Sequence, residues 1–305
     1  MKRILSCVLC LFLLCGCTSG KMQIEKQKIN IVATIFPLYD FARAICGDSA
    51  NVKMLIKPGS EVHSYDPLPS DMAAVYDCDL FLYIGGESDT WVNTVISDTN
   101  KKNISAKFLP LIDCVETIDE ENEEHSEHSH EHADEHIWTS ADNAVSMIKY
   151  ICKNLCGADP ENADIYLANS SAYIQKIEEA SQTVLNTVSM FKDPFMLVAD
   201  RFPFAYFARQ YKIGYDAAFD GCAVSTDISL KTMVRLTDII KSRNIKTVFC
   251  TELSNQNIAK ALRDETGVNI IELHSAHNVT LDDFKNGITY VDILYRNADA
   301  LKRGL

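Results

Sequence analysis

From residue 29 almost to the C-terminus, short β-branched runs alternate with stretches whose apolar residues recur at helical spacing. Residues 29–34 (INIVAT), 52–56 and 80–84 (LFLYI) read as strands, and residues 37–45, 70–75, 89–97 and 141–154 as helices between and after them. A much longer stretch follows at 160–191. Pro160 stands at its front, and Ile165, Ala168, Ala172, Ile177, Ala180, Val184 and Val188 recur at helical steps. As one helix it would reach about 45 Å at 1.5 Å per residue. Strand and helix then alternate again: 195–199, 204–211, 229–243, 247–251, 256–266, 269–273 and 282–303. Strand–turn–helix–strand repetition implies a mostly parallel sheet covered on both faces. The pattern therefore predicts an α/β protein of two lobes, 28–157 and 194–305, joined by one long linker helix at 160–191.

The start of the chain breaks this pattern. Lys2 and Arg3 precede an apolar core at 4–15, too short to span a bilayer stably and suited to a secretory signal. It ends in Leu14-Cys15-Gly16-Cys17, which resembles the bacterial lipobox. The expectation is a signal peptide at 1–17 and a lipid on Cys17, which would anchor the protein at the outer face of a bacterial cell membrane.

Formal net charge is −13, and the segment from Glu116 to His136 alone carries ten acidic residues, five histidines and no lysine or arginine. Without it the chain is an ordinary acidic globule with no basic patch, which argues against nucleic acid as a partner. In the segment, His125, His128, His130, His132 and His136 alternate with carboxylates, donors that suit a borderline divalent cation such as zinc. A loop without fixed geometry cannot pre-organise ligands, so His125, His128, His130 and His132 are expected to form a weak accessory metal loop. The spelling H-x-x-E-H also occurs twice here, but a metalloprotease needs it on a rigid helix. Seven cysteines follow Cys17 with no CxxC pair, and most read as small buried hydrophobes.

The other three histidines lie where open α/β sheets bind ligands, in loops at strand ends. His63 sits in a Pro/Gly loop after a strand, and His274 and His277 sit in the HSAHN loop after another; His136 stands at the entry to a helix. Loops from both halves thus each present an imidazole.

Together, PGSEVHSYDPLPSD, CDLFLYIGGESDTWV and DEHIWTSADNAVSMIKYI, followed by the long helix, resemble the metal-binding lipoproteins of ABC importers for zinc and manganese. The resemblance covers nearly the whole mature chain. It implies a metal site in the cleft between two lobes, with His63 and His136 as ligands. It also implies a stiff linker helix and a preference for zinc, since the histidine-rich acidic loop is typical of zinc members.

The likeness breaks in the second half. Where many members carry His or Glu ahead of an aromatic-x-aromatic pattern, this chain has Asp200-Arg201-Phe202-Pro-Phe204-Ala-Tyr206. Arg201 cannot ligate a cation; Asp200 could, but an Asp–Arg pair competes as a structural role. A replacement is expected from the HSAHN loop, with His274 favoured over His277 because it directly follows the strand, and Glu252 as a weaker candidate. Three imidazoles with one carboxylate or water would make a tetrahedral zinc site, whose affinity should fall below about pH 6.5 as imidazoles protonate.

The implied function is capture, not catalysis: Zn2+ as transported ligand, handed by a monomer to a permease driven by a cytoplasmic ATPase. The alternatives are a manganese or other divalent-metal protein of the same type, a surface zinc-dependent hydrolase, and an adhesin.

Overall fold

The computed structural model describes residues 28–102, 105–118, 133–219, 221 and 228–305. Cys17, the accessory histidines 125, 128, 130 and 132, and Cys222 lie outside them. The first half runs β1 (Ile29–Ala33), α1 (Phe36–Cys46), β2 (Ala50–Met54), α2 (Pro69–Tyr76), β3 (Leu80–Tyr83), α3 (Trp91–Lys102), β4 (Lys107–Pro110) and α4 (Ala141–Ala158). Helix α5 (Ala163–Val188) follows. The second half runs β5 (Phe195–Arg201), α6 (Ala205–Tyr211), β6 (Gly214–Phe219), α7 (Leu230–Arg243), β7 (Thr247–Cys250), α8 (Asn257–Thr266), β8 (Asn269–Glu272), α9 (Leu281–Lys285) and α10 (Tyr290–Gly304).

Each half forms a four-stranded sheet, ordered β2-β1-β3-β4 and β6-β5-β7-β8, and the recorded pairings are all parallel. Helices cover both faces of such sheets, which is why β3 and β7 are buried at every position instead of alternating. In both orders the chain builds outward to one side of its first strand and then crosses to the other. That reversal leaves a crevice at the carboxyl ends of the strands, and the two crevices face each other across one cleft.

Sequence signals account for many of the boundaries. Ser140 caps α4 by accepting from the Asn143 amide, Ser229 caps α7 in the same way, and Thr289 forms a capping box with Asp292 at the start of α10. Two strands escape the apolar pattern: β4 ends in proline, and β6 is mostly half-exposed. The stretch expected as one helix at 282–303 is two, α9 and α10, broken at Gly287, whose φ of 74° no helix continues through.

Helix α5 has 26 residues, about 39 Å by the helical rise; a separate 3-10 turn, Pro160–Asn162, precedes it. Tyr166, Tyr173, Ile177 and Ala180 of its buried stripe belong to the first lobe's core, and Val184 and Val188 to the second's. Helix α10 repeats the arrangement, with Tyr290, Val291, Ile293 and Leu294 in the first core and Ala298, Ala300 and Leu301 in the second. Two helices therefore tie the lobes.

Six cysteines among the described residues are free thiols, and Cys46, Cys78, Cys152 and Cys250 are buried. Burial pushes the Cys46, Cys78 and Cys250 thiols up to about 12, so they stay protonated and pack as small hydrophobes. No helix among the described residues is long and apolar enough to cross a membrane.

Candidate metal centre

His63, His136 and His277 converge in the cleft, each offering one ring nitrogen, with the three nitrogens all within 4.8 Å of one another. The ring centroids are 5.6 Å (His63–His136), 4.9 Å (His63–His277) and 5.3 Å (His136–His277) apart. His63 comes from the loop after β2, His136 caps the turn leading to α4, and His277 comes from the loop after β8.

Each ring is held from behind. His136 is fully buried, and Asp134 Oδ1 lies 2.8 Å from both its backbone nitrogen and Nδ1. A carboxylate only accepts, so Nδ1 carries the proton and the lone pair is on Nε2. His63 is set by a relay. Ser88 spends its hydroxyl hydrogen on Glu135 Oε1, and the Ser88 amide donates to Glu135 Oε2 at 2.9 Å. Ser88 Oγ, 3.2 Å from His63 Nδ1, must then accept from that ring, which again leaves Nε2 for a ligand.

His277 is placed by its loop. Ala276 adopts φ 62°, uncommon for a residue with a Cβ, and turns the chain just before it. Glu252 fastens the turn by accepting from the amides of Ser275 (2.7 Å) and His277 (3.1 Å) and from the Ser275 hydroxyl (2.6 Å). Trp138 packs against the His277 ring at 4.7 Å and donates from Nε1 to the Ser275 carbonyl at 2.8 Å, joining the first lobe to this loop.

Two glycines make room. A Cβ on Gly86 would lie 2.3 Å from the Cβ of Glu135, and one on Gly221 would press within 3.2 Å of the His136 ring and 2.9 Å of the Phe202 carbonyl. Tyr206, from the aromatic stretch beside Arg201, receives the Ile118 amide (3.0 Å) and donates to the Asp134 carbonyl (2.7 Å), so it grips the chain on both sides of the acidic segment.

Burial first, and then the charge that a protonated His136 would add, push His63 down to about 4; Glu135 and Glu61 oppose this and Arg201 adds to it. Burial likewise holds His277 well below the ordinary imidazole range, helped by His63, His136 and Arg201. Asp89, buried behind Glu135, is pushed up to about 7 by burial and by the Glu135 charge, against the amides of Gly85 and Ile84. The stability effects oppose each other. The depressed His63 value removes stability as pH falls from about 6.5 towards 4, whereas the raised Asp89 value removes it as pH rises towards 7.

The expectations fare unequally against this geometry. His63 and His136 meet as the resemblance implies. His274 does not join them, which corrects its preference over His277. Its amide donates to Asn297 Oδ1 and its carbonyl accepts from Asn297 Nδ2, both at 2.8 Å, while its Nδ1 accepts from the Ala276 amide at 2.9 Å. These bonds pin His274 on the α10 side of the loop. Glu252 is also outside the cluster, its oxygens occupied by the His277 turn. Asp200 accepts from the Arg201 amide (2.9 Å) and the Thr251 hydroxyl (3.0 Å), whereas the Arg201 guanidinium reaches across the cleft to Glu61 at 3.4 Å. Sequence reasoning missed the supports Ser88, Asp134 and Glu135. Their only local signal was the acidic pair next to His136.

Two parallel α/β lobes, tied by helices and facing each other over a shared cleft that presents three imidazoles, define a bilobal ligand-binding protein. The chain belongs to the ZnuA family, described as zinc-uptake complex component A, periplasmic, which it matches over residues 31–304. It is 29% identical over 309 residues to the zinc-binding lipoprotein AdcA of Streptococcus pneumoniae (strain ATCC BAA-255 / R6), covering 99% of this chain and 61% of that protein. The chain thus spans less than two thirds of that relative's length. It is also 29% identical to the high-affinity zinc uptake system protein ZnuA of Bacillus subtilis (strain 168), covering 97% of this chain and 95% of that one. The crystal structure of the Zn(II)-bound ZnuA-like domain of Streptococcus pneumoniae AdcA superposes with a TM-score of 0.77 at 27% identity, over 91% of this chain and 99% of that one.

Proposed function

We propose that this protein is the extracytoplasmic zinc-binding component of an ABC import system, in which His63, His136 and His277 capture Zn2+ for delivery to a membrane permease driven by a cytoplasmic ATPase. In this reading the mature protein is a monomer held at the membrane by a lipid on Cys17. The observation that carries it is the convergence of three imidazoles, from both lobes, in one cleft. The relatives named for zinc binding and zinc uptake support it. An all-nitrogen donor set also suits zinc better than manganese, a harder ion that asks for more oxygen.

A zinc hydrolase would need a general base beside an open coordination position. Glu252 is engaged by Ser275 and His277, and Glu61 faces Arg201 and the amides of Val62 and His63. Capture therefore fits the geometry better than catalysis.

Metal binding requires neutral imidazoles, and the cleft keeps His63 and His277 neutral well below the usual range. Zinc affinity of the protein lacking residues 119–132 should therefore fall less between about pH 7.5 and about pH 5 than that of a site built from three ordinary imidazoles. Calorimetry should give one tight equivalent throughout. Absence of that equivalent at neutral pH would overturn the reading.

Because α5 and α10 both cross between the lobes, capture should move them little. Small-angle scattering of zinc-free and zinc-loaded protein should give nearly superimposable curves, and a large contraction on loading would contradict this.

A further inference from the structure

Trp138, the largest fully buried side chain among the described residues, stands against two of the three clustered histidines at once. Its ring lies 5.4 Å from the His136 ring and 4.7 Å from the His277 ring, centroid to centroid, and those two rings are 5.3 Å apart. The indole is thus the third corner of a nearly equilateral triangle, wedged beside a ligand pair drawn from loops far apart in the chain.

The wedge is fixed at both ends. Its single N–H, Nε1, donates to the Ser275 carbonyl at 2.8 Å, in the loop that carries His277. Its backbone carbonyl accepts from the Tyr290 hydroxyl at 2.6 Å, at the start of α10. The two imidazoles are confined as well. His136 is held at Nδ1 by Asp134, and the Gly221 backbone lies so close that a Cβ there would meet Nδ1 and Cε1 at 3.2 Å. The His277 amide is fastened to Glu252 at 3.1 Å. His63 is the freest of the three, its side chain 14% exposed and its Nδ1 on the Ser88 hydroxyl at 3.2 Å.

A ring nitrogen approaches zinc at about 2.0–2.1 Å, and an ion with longer bonds needs its donors further apart. His63 can give way to such an ion. The His136–His277 pair cannot unless the indole moves, and a close-packed interior resists that displacement.

We propose that Trp138 is a size gauge, a positioning residue that fixes the spacing of His136 and His277 and so makes the site favour zinc over larger divalent ions. Selectivity then comes from stiffness as well as from the nitrogen donors. This rests on the zinc-capture reading above, and the experiment separates the two.

Cadmium(II) shares zinc's charge and filled d shell but is larger, whereas cobalt(II) is close to zinc in size. The affinity of the full chain's tight site for each ion is measured by competition against a chelator. A ratio of two affinities in one variant cancels any cost in global stability. The unmodified chain should prefer zinc to cadmium. Trp138→Phe, which loses the breadth of the indole and the Ser275 bond, should narrow that preference about tenfold and leave zinc against cobalt within about twofold. Tyr290→Phe, which removes only the hydroxyl on the Trp138 carbonyl, should narrow it about threefold. Phe81→Leu opens a cavity in the first lobe, where Phe81 packs on Tyr83, Trp91 and Phe108. It should lower the melting temperature and leave both ratios as they were. An unmodified chain that takes cadmium as tightly as zinc would overturn the proposal. So would a zinc-to-cadmium ratio unmoved in Trp138→Phe, or a shift of equal size in Phe81→Leu. If Trp138→Phe does not fold, Tyr290→Phe decides by the same criterion. A chain with no tight zinc equivalent would instead remove the zinc-capture reading, and this proposal with it.

Discussion

His277→Ala should abolish the tight zinc site, whereas His274→Ala should leave it in place. The two residues are three apart in one loop, both are buried, and either reads from the sequence as a strand-end ligand. Only His277 turns its ring towards His63 and His136. Removing a supporting partner of a ligand costs about 10- to 100-fold in metal affinity. Loss of one of three clustered ligands should exceed the upper end of that range. His274→Ala breaks the contact with the Ala276 amide and leaves a small cavity, so it should lower the melting temperature more than the affinity. Competition titration against a chelator of known affinity separates the cases. The reverse result, His274→Ala losing zinc and His277→Ala keeping it, would refute the assignment.

The second large effect should come from Asp40, which is not one of the three clustered histidines' partners. Its carboxylate is 1% exposed and sits where α1, α5 and α10 meet. It accepts from the Tyr173 hydroxyl, from the Tyr290 amide at 2.8 Å and from Arg43 Nε at 2.8 Å. Arg43 in turn donates to the carbonyls of Gly287 and Ile288, just ahead of α10. Burial raises the Asp40 carboxyl above its ordinary range, and the Arg43 charge with the Tyr173 and Tyr290 bonds opposes that rise. Asp40→Ala removes an acceptor common to three elements and leaves the Tyr290 amide and Tyr173 hydroxyl buried without it. The expected loss is about 3 kcal/mol in urea unfolding. Asp40→Asn, which keeps one acceptor oxygen and the shape, should lose less. Amide exchange should quicken first in residues 290–304. If both variants unfold as the unmodified protein does, Asp40 does not tie α1, α5 and α10 together.

The sheets were readable because parallel strands buried on both faces leave apolar runs, as in LFLYI and the INIVA of β1. Strand β6 was not, because Gly214, Tyr215 and Asp216 face outward at a sheet edge and carry no such run. The break between α9 and α10 rests on one left-handed glycine inside an otherwise continuous apolar periodicity. His63 and His136 could be recognised from the motifs around them. The choice of His277 over His274 depended on Ala276 turning through positive φ, and alanine carries no signal for that conformation. Asp134 holds His136 from two residues away, whereas Ser88 and Glu135 act over tertiary distances, meeting across 47 positions.

The double tie between the lobes also bears on how strongly the site can bind. In a protein whose halves swing freely, part of the attraction between donors and ligand goes into holding the halves together, and the measured affinity is lowered by the fraction of time spent open. Here the cores of α5 and α10 have already met that cost during folding. The three rings wait close to their working positions, so nearly all the coordination energy should be expressed as affinity. Release then becomes the demanding step. A receiving protein gains little by prying at the lobes and has more to gain by disturbing the positive-φ joint beside the ligands, the Ala276 turn that carries His277.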